Sequence, residues 1–313
     1  MRSNAVKKIK WQKIWKCWQL YLILLIPLAS VILFSYVPMY GVQLAFREYD
    51  PAMGITGSEW VGLRHVMRFI KSYDFKNVMG NTLRLSLIGI ITGPPISIVF
   101  ALMLNTVRSL LFKKSIQTIT YAPYFISMVV FVGIINMVFS PVSGLYGTFY
   151  RMLHEGQFPP AILGKLDTFV PTYILSGIWQ GLGWSSIIYL AALSAVNPEL
   201  HEAAIIDGAT RLRRVISVDI PAITPTIAIT VVLAFGGVLG VGFDKAFLMQ
   251  TALNIKYSEV VSTYVYKVGL KNGMTGFSYG TAVGLFLNVI NFVILFTVNQ
   301  LSLRFSPDKT SLF

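Results

Sequence analysis

The sequence predicts an all-α, polytopic membrane protein with six transmembrane helices and both termini on the cytoplasmic side. Three observations carry that prediction. Of 313 residues, 55% are hydrophobic and only 12% charged, about half the charge of an ordinary globular domain. With a mean hydropathy of +0.65, the chain has too few polar groups to build a water-facing shell. Six windows of about 20 predominantly apolar residues, the length that crosses roughly 30 Å of hydrocarbon, lie at 20–43, 82–104, 117–139, 169–193, 221–243 and 278–301. Arg84 is the one charged residue inside any of them, and it sits near a window end, where a long side chain reaches the interface.

The first window follows Arg2, Lys7, Lys8, Lys10, Lys13 and Lys16. A basic start and an apolar run also describe a signal peptide, but the run from Leu20 to Gly41 exceeds a signal core and has no clear small-x-small site, so it reads as a span. Pro27 and Pro38 in the first window and Gly93-Pro94-Pro95 in the second predict kinks whose freed backbone groups need partners in protein or water. Such breaks line pathways in many membrane proteins; a kink that only improves packing serves equally well. The 47–80 loop holds Arg47, Arg64, Arg68, Lys71 and Lys76 with Trp60 against four acids, which describes an ordinary solvated loop.

Orientation follows from the basic residues on alternate sides of the spans. The side with both termini, the 105–116 loop and the 194–220 loop carries 14 Lys and Arg with five acids; the other side carries 11 with eight acids. The first side is therefore cytoplasmic. The chain divides into a basic cytoplasmic segment, 1–19, and a transmembrane domain, 20–313, carrying the cytoplasmic 194–220 loop. The net charge of +13 is then a topogenic flank, and nucleic-acid binding is excluded because no folded basic face with base-reading side chains is left.

Cys17 is the single cysteine, so no intrachain disulfide and no cysteine-based zinc cluster is available, and His65, His154 and His201 are widely scattered. No metal or catalytic residue is predicted. HExxH, GxSxG, a Cys-His pairing and the GxxxxGK[ST] phosphate loop are all missing from the sequence. Ion-coupled carriers usually place Asp, Glu or His within the spans, and the six windows contain none. Energy must then come from another polypeptide. A self-sufficient secondary carrier or channel is the alternative, and a membrane-embedded enzyme a more remote one.

The loop between the fourth and fifth windows is the most informative stretch. Asn197 is a good N-cap, Pro198 suits the first helical position, Glu199 complements the positive helix end, and Gly208 accepts the left-handed conformation of a C-cap. A capped cytoplasmic helix of about ten residues is predicted. Thr210 caps a second helix through Arg211, Arg213 and Arg214 to Pro221. The small Ala203 and Ala204 let a partner approach closely, and Glu202 offers a charge to a base opposite; a capped surface helix also exists without any partner.

Glu202-Ala203-Ala204, Gly208, Val218, Ile220 and Pro221 stand at the spacing of the EAA motif. In this the chain resembles the permease subunits of type I ABC importers, with Val218 and Ile220 as mild departures from Ile and Leu. Val37-Pro38-Met39-Tyr40-Gly41, Tyr121 to Ser127, Trp179-Gln180-Gly181-Leu182-Gly183-Trp184 and Val261 to Tyr266 are similar to the oligosaccharide branch, and more narrowly to permeases for alginate, pectic or aldouronate oligosaccharides. The resemblance implies the type I permease fold in a bacterial cytoplasmic membrane. It implies alternating access, driven through Glu202, Ala203, Ala204, Ile206, Asp207, Gly208 and Arg211 by two ATP-binding cassette subunits, which hold ATP and Mg; this chain holds no cofactor. A second related permease, an extracellular solute-binding protein and an oligosaccharide substrate complete the implied assembly.

Sugars are bound by aromatic stacking and by hydrogen bonds to their hydroxyls. Trp179, Gln180, Trp184 and Tyr189 in the fourth window, Tyr124 and Asn136 in the third, and Asn288 and Asn291 in the sixth are therefore pathway candidates. Trp and Tyr are also enriched at membrane interfaces, and Asn commonly bonds a neighbouring helix.

Overall fold

A computed structural model describes residues 17–271, 273 and 276–305; the basic residues of positions 1–16 lie outside the described residues. The architecture is all-α apart from one pair of two-residue strands. Helix α1 (Trp18–Phe46) is predominantly apolar and carries no charge, with a π turn at Ile32–Tyr36, just before Pro38, and a 3-10 end at Tyr40–Phe46. Its stretch Trp18–Val31 buries no residue within this chain, as expected of a helix apolar on every side in lipid. Strands β1 (Arg47–Glu48) and β2 (Glu59–Trp60) pair antiparallel. The β1 residue Arg47 is spent locally, its guanidinium donating to the Thr56 and Ser58 carbonyls, in keeping with an ordinary loop. Helix α2 (Arg64–Ile70) follows.

Helix α3 (Phe75–Thr106) runs 32 residues through Pro94 and Pro95 without a break in the helix; the cost of the prolines falls on unpaired carbonyls rather than on helix continuity. Helix α4 (Leu110–Phe125) and α5 (Met128–Val138) correct the third window, which is not one straight span: they meet at 99°. Two local signals make the break. Pro123 sits in a closing 3-10 turn, and Ser127 caps α5 by accepting from the Val130 N–H at 3.4 Å. Because α4 begins at Leu110, most of the expected 105–116 loop is helix.

Helix α6 (Leu145–Leu153) lies between the spans, and α7 (Leu166–Ser194) spans 29 residues. At about 1.5 Å per residue α7 is long enough to cross a bilayer. Four helices are both long and apolar enough to do so, and the bent α4–α5 pair makes a fifth. Helix α7 is not among them because Trp, Gln, Ser and Gly dilute its apolar character. Six spans are compatible with this set once α7 is added.

Helix α8 (Pro198–Ile206) is followed by α9, whose run Arg211–Gly236 begins ten residues before the fifth window and ends seven before its close. Gly237, Gly240 and Gly242 unravel that end. Helices α10 (Phe243–Leu248) and α11 (Val261–Val265, continued as a π turn over Tyr266–Lys271) precede α12 (Phe277–Phe305). The central contact is α3 against α7. Around it Leu85, Phe131, Tyr173 and Met249 form a cluster toward the α5–α10 end, and Leu102, Leu190 and Ile223 one toward the α8 end.

Candidate functional site

Two features have the geometry of a working site, one at the α8 surface and one inside the helix bundle. The α8 surface is built by its caps. Asn197 Oδ1 accepts from the Glu199 N–H at 3.1 Å, Pro198 occupies the first turn, and Gly208 takes φ +75°, where a side chain is strained. The Ala209 N–H donates to the Ala204 carbonyl at 2.9 Å and that of Gly208 to Ile205 at 3.0 Å, the two bonds of a Schellman motif. Thr210 then caps α9 by accepting from the Arg213 N–H at 3.3 Å.

With both ends closed, α8 stands at the surface. Glu202, Ala203, Asp207, Gly208 and Arg211 are exposed, Ala204 is half-buried, and Ile206 is 85% exposed. Leu200, Ile205 and Leu212 are exposed beside it. Glu202 borders a recess shared with Arg108, Arg211 and Arg214, yet no base lies within 4 Å of it among the described residues. Its carboxylate is therefore free for a partner. In the same recess His201 Nε2 lies 3.2 Å from Oδ1 of the buried Asp219, an ion pair when the imidazole is protonated, which ties α8 to the first turns of α9.

The second feature is an open cavity of about 590 Å³ between α3, α7 and α9, with Lys245 of α10 in its lining. Gly89, Gly93 and Pro94 of α3 face Gly177, Gly181 and Tyr189 of α7 across it. Pro94 has no N–H to give the Ile90 carbonyl, and both residues line the cavity. Gly93 and Gly181 are not forced by close packing: a Cβ on Gly93 would meet nothing within 4 Å, and one on Gly181 only Ser185 Oγ at 3.8 Å. Their effect is to widen the space. Lys245 of α10 also borders it, 7% exposed. Its Nζ donates to the Tyr173 carbonyl at 2.6 Å and lies 4.5 Å from the Tyr173 ring and 5.6 Å from that of Phe131. Burial pulls the Lys245 ammonium down from the ordinary lysine value to about 7.

Of the eight pathway candidates, Tyr189 alone lines this cavity, its hydroxyl 3.0 Å from Thr230 Oγ1. Tyr124 and Trp184 are brought together as a parallel stack at 4.6 Å, and Trp179 stacks on Phe131 at 5.6 Å. Trp179 and Trp184 are about half exposed. Gln180 is half-buried, and Asn136 and Asn288 are exposed. Asn291 Oδ1 accepts from the Leu239 N–H at 3.0 Å and holds the turn after α9. Among the described residues no group of three or more His, Cys, Asp or Glu is placed to hold a metal ion.

Residues 74–307, three quarters of the chain, match the family described as binding-protein-dependent transport system inner membrane component. The chain belongs to that family. It is an ABC importer permease, a transport component rather than an enzyme. This permease is 40% identical to the polygalacturonan/rhamnogalacturonan transport system permease protein YteP of Bacillus subtilis (strain 168), over 92% of its own length and 89% of YteP. Protein LplB of the same organism is 37% identical over 99% of this permease and 93% of LplB. Among solved structures, a chain of a bacterial alginate ABC transporter, crystallised in complex with an alginate pentasaccharide-bound periplasmic protein, superposes with a TM-score of 0.85 at 34% identity, covering 97% of this permease and all of that chain.

Two features, the burial of Lys245 and the His201–Asp219 pair, have no clear signature in the sequence. Lys245 falls two positions beyond the fifth window and reads as a loop charge; the glycines just before it, which return the chain to the bundle, are the nearest thing to a signal. His201 and Asp219 are 18 residues apart, and nothing in their spacing announces a contact.

Proposed function

We propose that this permease is one half of the membrane passage of an ATP-driven importer of oligosaccharides, acidic polysaccharide fragments among them, in a bacterial cytoplasmic membrane. The observation that carries the reading is the exposed, doubly capped helix α8 with Glu202 unpaired inside its own chain. In this reading Glu202, Ala203, Ala204, Ile206, Asp207, Gly208 and Arg211 of the 194–220 loop form the seat for an ATP-binding subunit that holds ATP and Mg. Two such subunits close on ATP and move the two permease halves between inward- and outward-facing states. The second half is a related permease, giving a heterodimer, and an extracellular solute-binding protein delivers the sugar. Substrate class is supported by relatives named for polygalacturonan, rhamnogalacturonan and alginate. Tyr124, Asn136, Trp179, Gln180, Trp184, Tyr189, Asn288 and Asn291 remain the proposed sugar-facing set, the open Tyr124–Trp184 stack being the best formed of them.

Proteoliposomes holding this permease, its partner permease, both ATPase subunits and the binding protein test the reading with labelled oligogalacturonate. ATP-dependent accumulation is expected from the full assembly and none from this chain alone; ATP-independent flux through the single chain would replace the importer with a carrier. The basic flank and the 14-to-11 distribution of Lys and Arg support a cytoplasmic location for both termini. A phosphatase reporter fused after Phe313 is expected to stay inactive and a cytoplasmic fluorescent reporter active, and the opposite pattern inverts the topology.

A further inference from the structure

We propose that Lys245 is the residue by which this passage selects anionic sugars, its ammonium receiving the carboxylate of a uronic acid unit at the α10 end of the glycine-lined cavity. The inference rests on the oligosaccharide importer reading and adds to it a site and a charge preference. The cavity wall is otherwise uncharged: glycines, aliphatics, serines, a threonine and two tyrosines. A cation so placed costs several kcal/mol in desolvation, which favours the neutral amine, unless an anion or a full set of acceptors offsets it. Lys245 has neither in its own chain. No carboxylate lies within 4 Å of Nζ among the described residues, and of the three protons of the ammonium one has an acceptor, the Tyr173 carbonyl.

The ring faces of Tyr173 and Phe131 hold the ammonium in place without neutralising it. Gly177 makes room for it, since a Cβ there would stand 3.0 Å from Nζ. A buried base kept at a cavity wall, with donors to spare, is arranged for an incoming carboxylate. The cavity falls in the size range of small-molecule sites, roughly 300–1,000 Å³, and the facing pairs Gly89/Gly93 and Gly177/Gly181 leave it wide enough for a ring to enter.

The test compares oligogalacturonate with its methyl-esterified form of equal length, in proteoliposomes of the complete transporter. Wild type is expected to take up the acid in preference. In Lys245→Gln the acid-to-ester uptake ratio is expected to fall about 10-fold or more, the worth of a charge-assisted hydrogen bond, with Lys245→Arg between the two. Gly177→Ala, which displaces the ammonium without removing it, is expected to lower the same ratio by a smaller factor and serves if Lys245→Gln fails to assemble. Equal loss for both sugars overturns the proposal and leaves Lys245 a structural residue. An unchanged ratio in all three variants, or a wild type indifferent to the carboxylate, overturns it while the importer reading survives. If Lys245→Gln changes the ratio in vesicles of anionic lipid but not in those of neutral lipid, the anion at Lys245 is a lipid headgroup and the proposal fails. A wild type that takes up neither sugar removes the importer reading itself.

Discussion

Glu202→Lys is expected to abolish ATP-driven uptake and to strip the ATPase subunits from the purified complex while leaving this chain folded in the membrane. The residue is exposed, ion-paired to nothing in its own chain, and carried on a helix whose two ends are closed by local hydrogen bonds. A change of its charge therefore has little to disturb inside the permease. At a docked surface the same change replaces an attraction with a repulsion, and losing one member of a buried charged pair costs roughly 2–5 kcal/mol, a loss of ~30-fold or more in retention of the ATPase subunits. Glu202→Gln removes the charge alone and should fall between. Ala203→Trp, which adds bulk where a small side chain admits a close approach, should reproduce the loss without touching charge. Pull-down of the ATPase subunits and ATP-dependent uptake report the two effects separately. Normal retention in both Glu202→Lys and Ala203→Trp would move the docking surface elsewhere.

Gly183→Val is expected to prevent the permease from folding, whereas Gly181→Ala, two residues away on the same helix, leaves its assembly intact. A Cβ on Gly183 would stand 2.4 Å from the Thr120 carbonyl oxygen and 2.5 Å from Tyr121 Cδ1. The first of these is backbone and has no rotamer to retreat to, so α7 must separate from α4 along the contact. Overpacking a well-filled interior costs about 1–3 kcal/mol, and a clash with main chain belongs at or above the top of that range. Gly181 faces the cavity, where the added methyl meets Ser185 Oγ at an ordinary 3.8 Å. Recovery of monodisperse protein from detergent and its thermal transition measure both variants. Similar recovery of the two would show that α7 does not pack on α4 through Gly183.

The contrast between those glycines shows where reading from sequence stops. Both lie in the run Trp179 to Trp184 that resembles oligosaccharide permeases, and nothing in the run separates the one that seats a helix from the one that opens a cavity. The α8 caps are the opposite case. Asn197, Pro198, Gly208 and Thr210 act on groups two to five residues away, so their identities alone set the ends of α8 and the start of α9. The third window falls between these cases: Pro123 and Ser127 are legible breakers, but an average over some 20 residues hides a 99° turn made at Ile126 and Ser127.

Composition, charge segregation and local capping thus determined that this chain is all-α, that it lives in lipid, and that it presents a capped helix with Glu202 at its surface, because each depends on residues near one another in sequence or on sums over the chain. Tertiary structure alone decided that Lys245 is buried against Tyr173, 72 residues away, that His201 meets Asp219, and that four glycines of α3 and α7 face one cavity. Burial and cavity walls are made by elements distant in sequence packing together, and a charge two residues past an apolar window looks the same in the sequence whether it faces water or the interior.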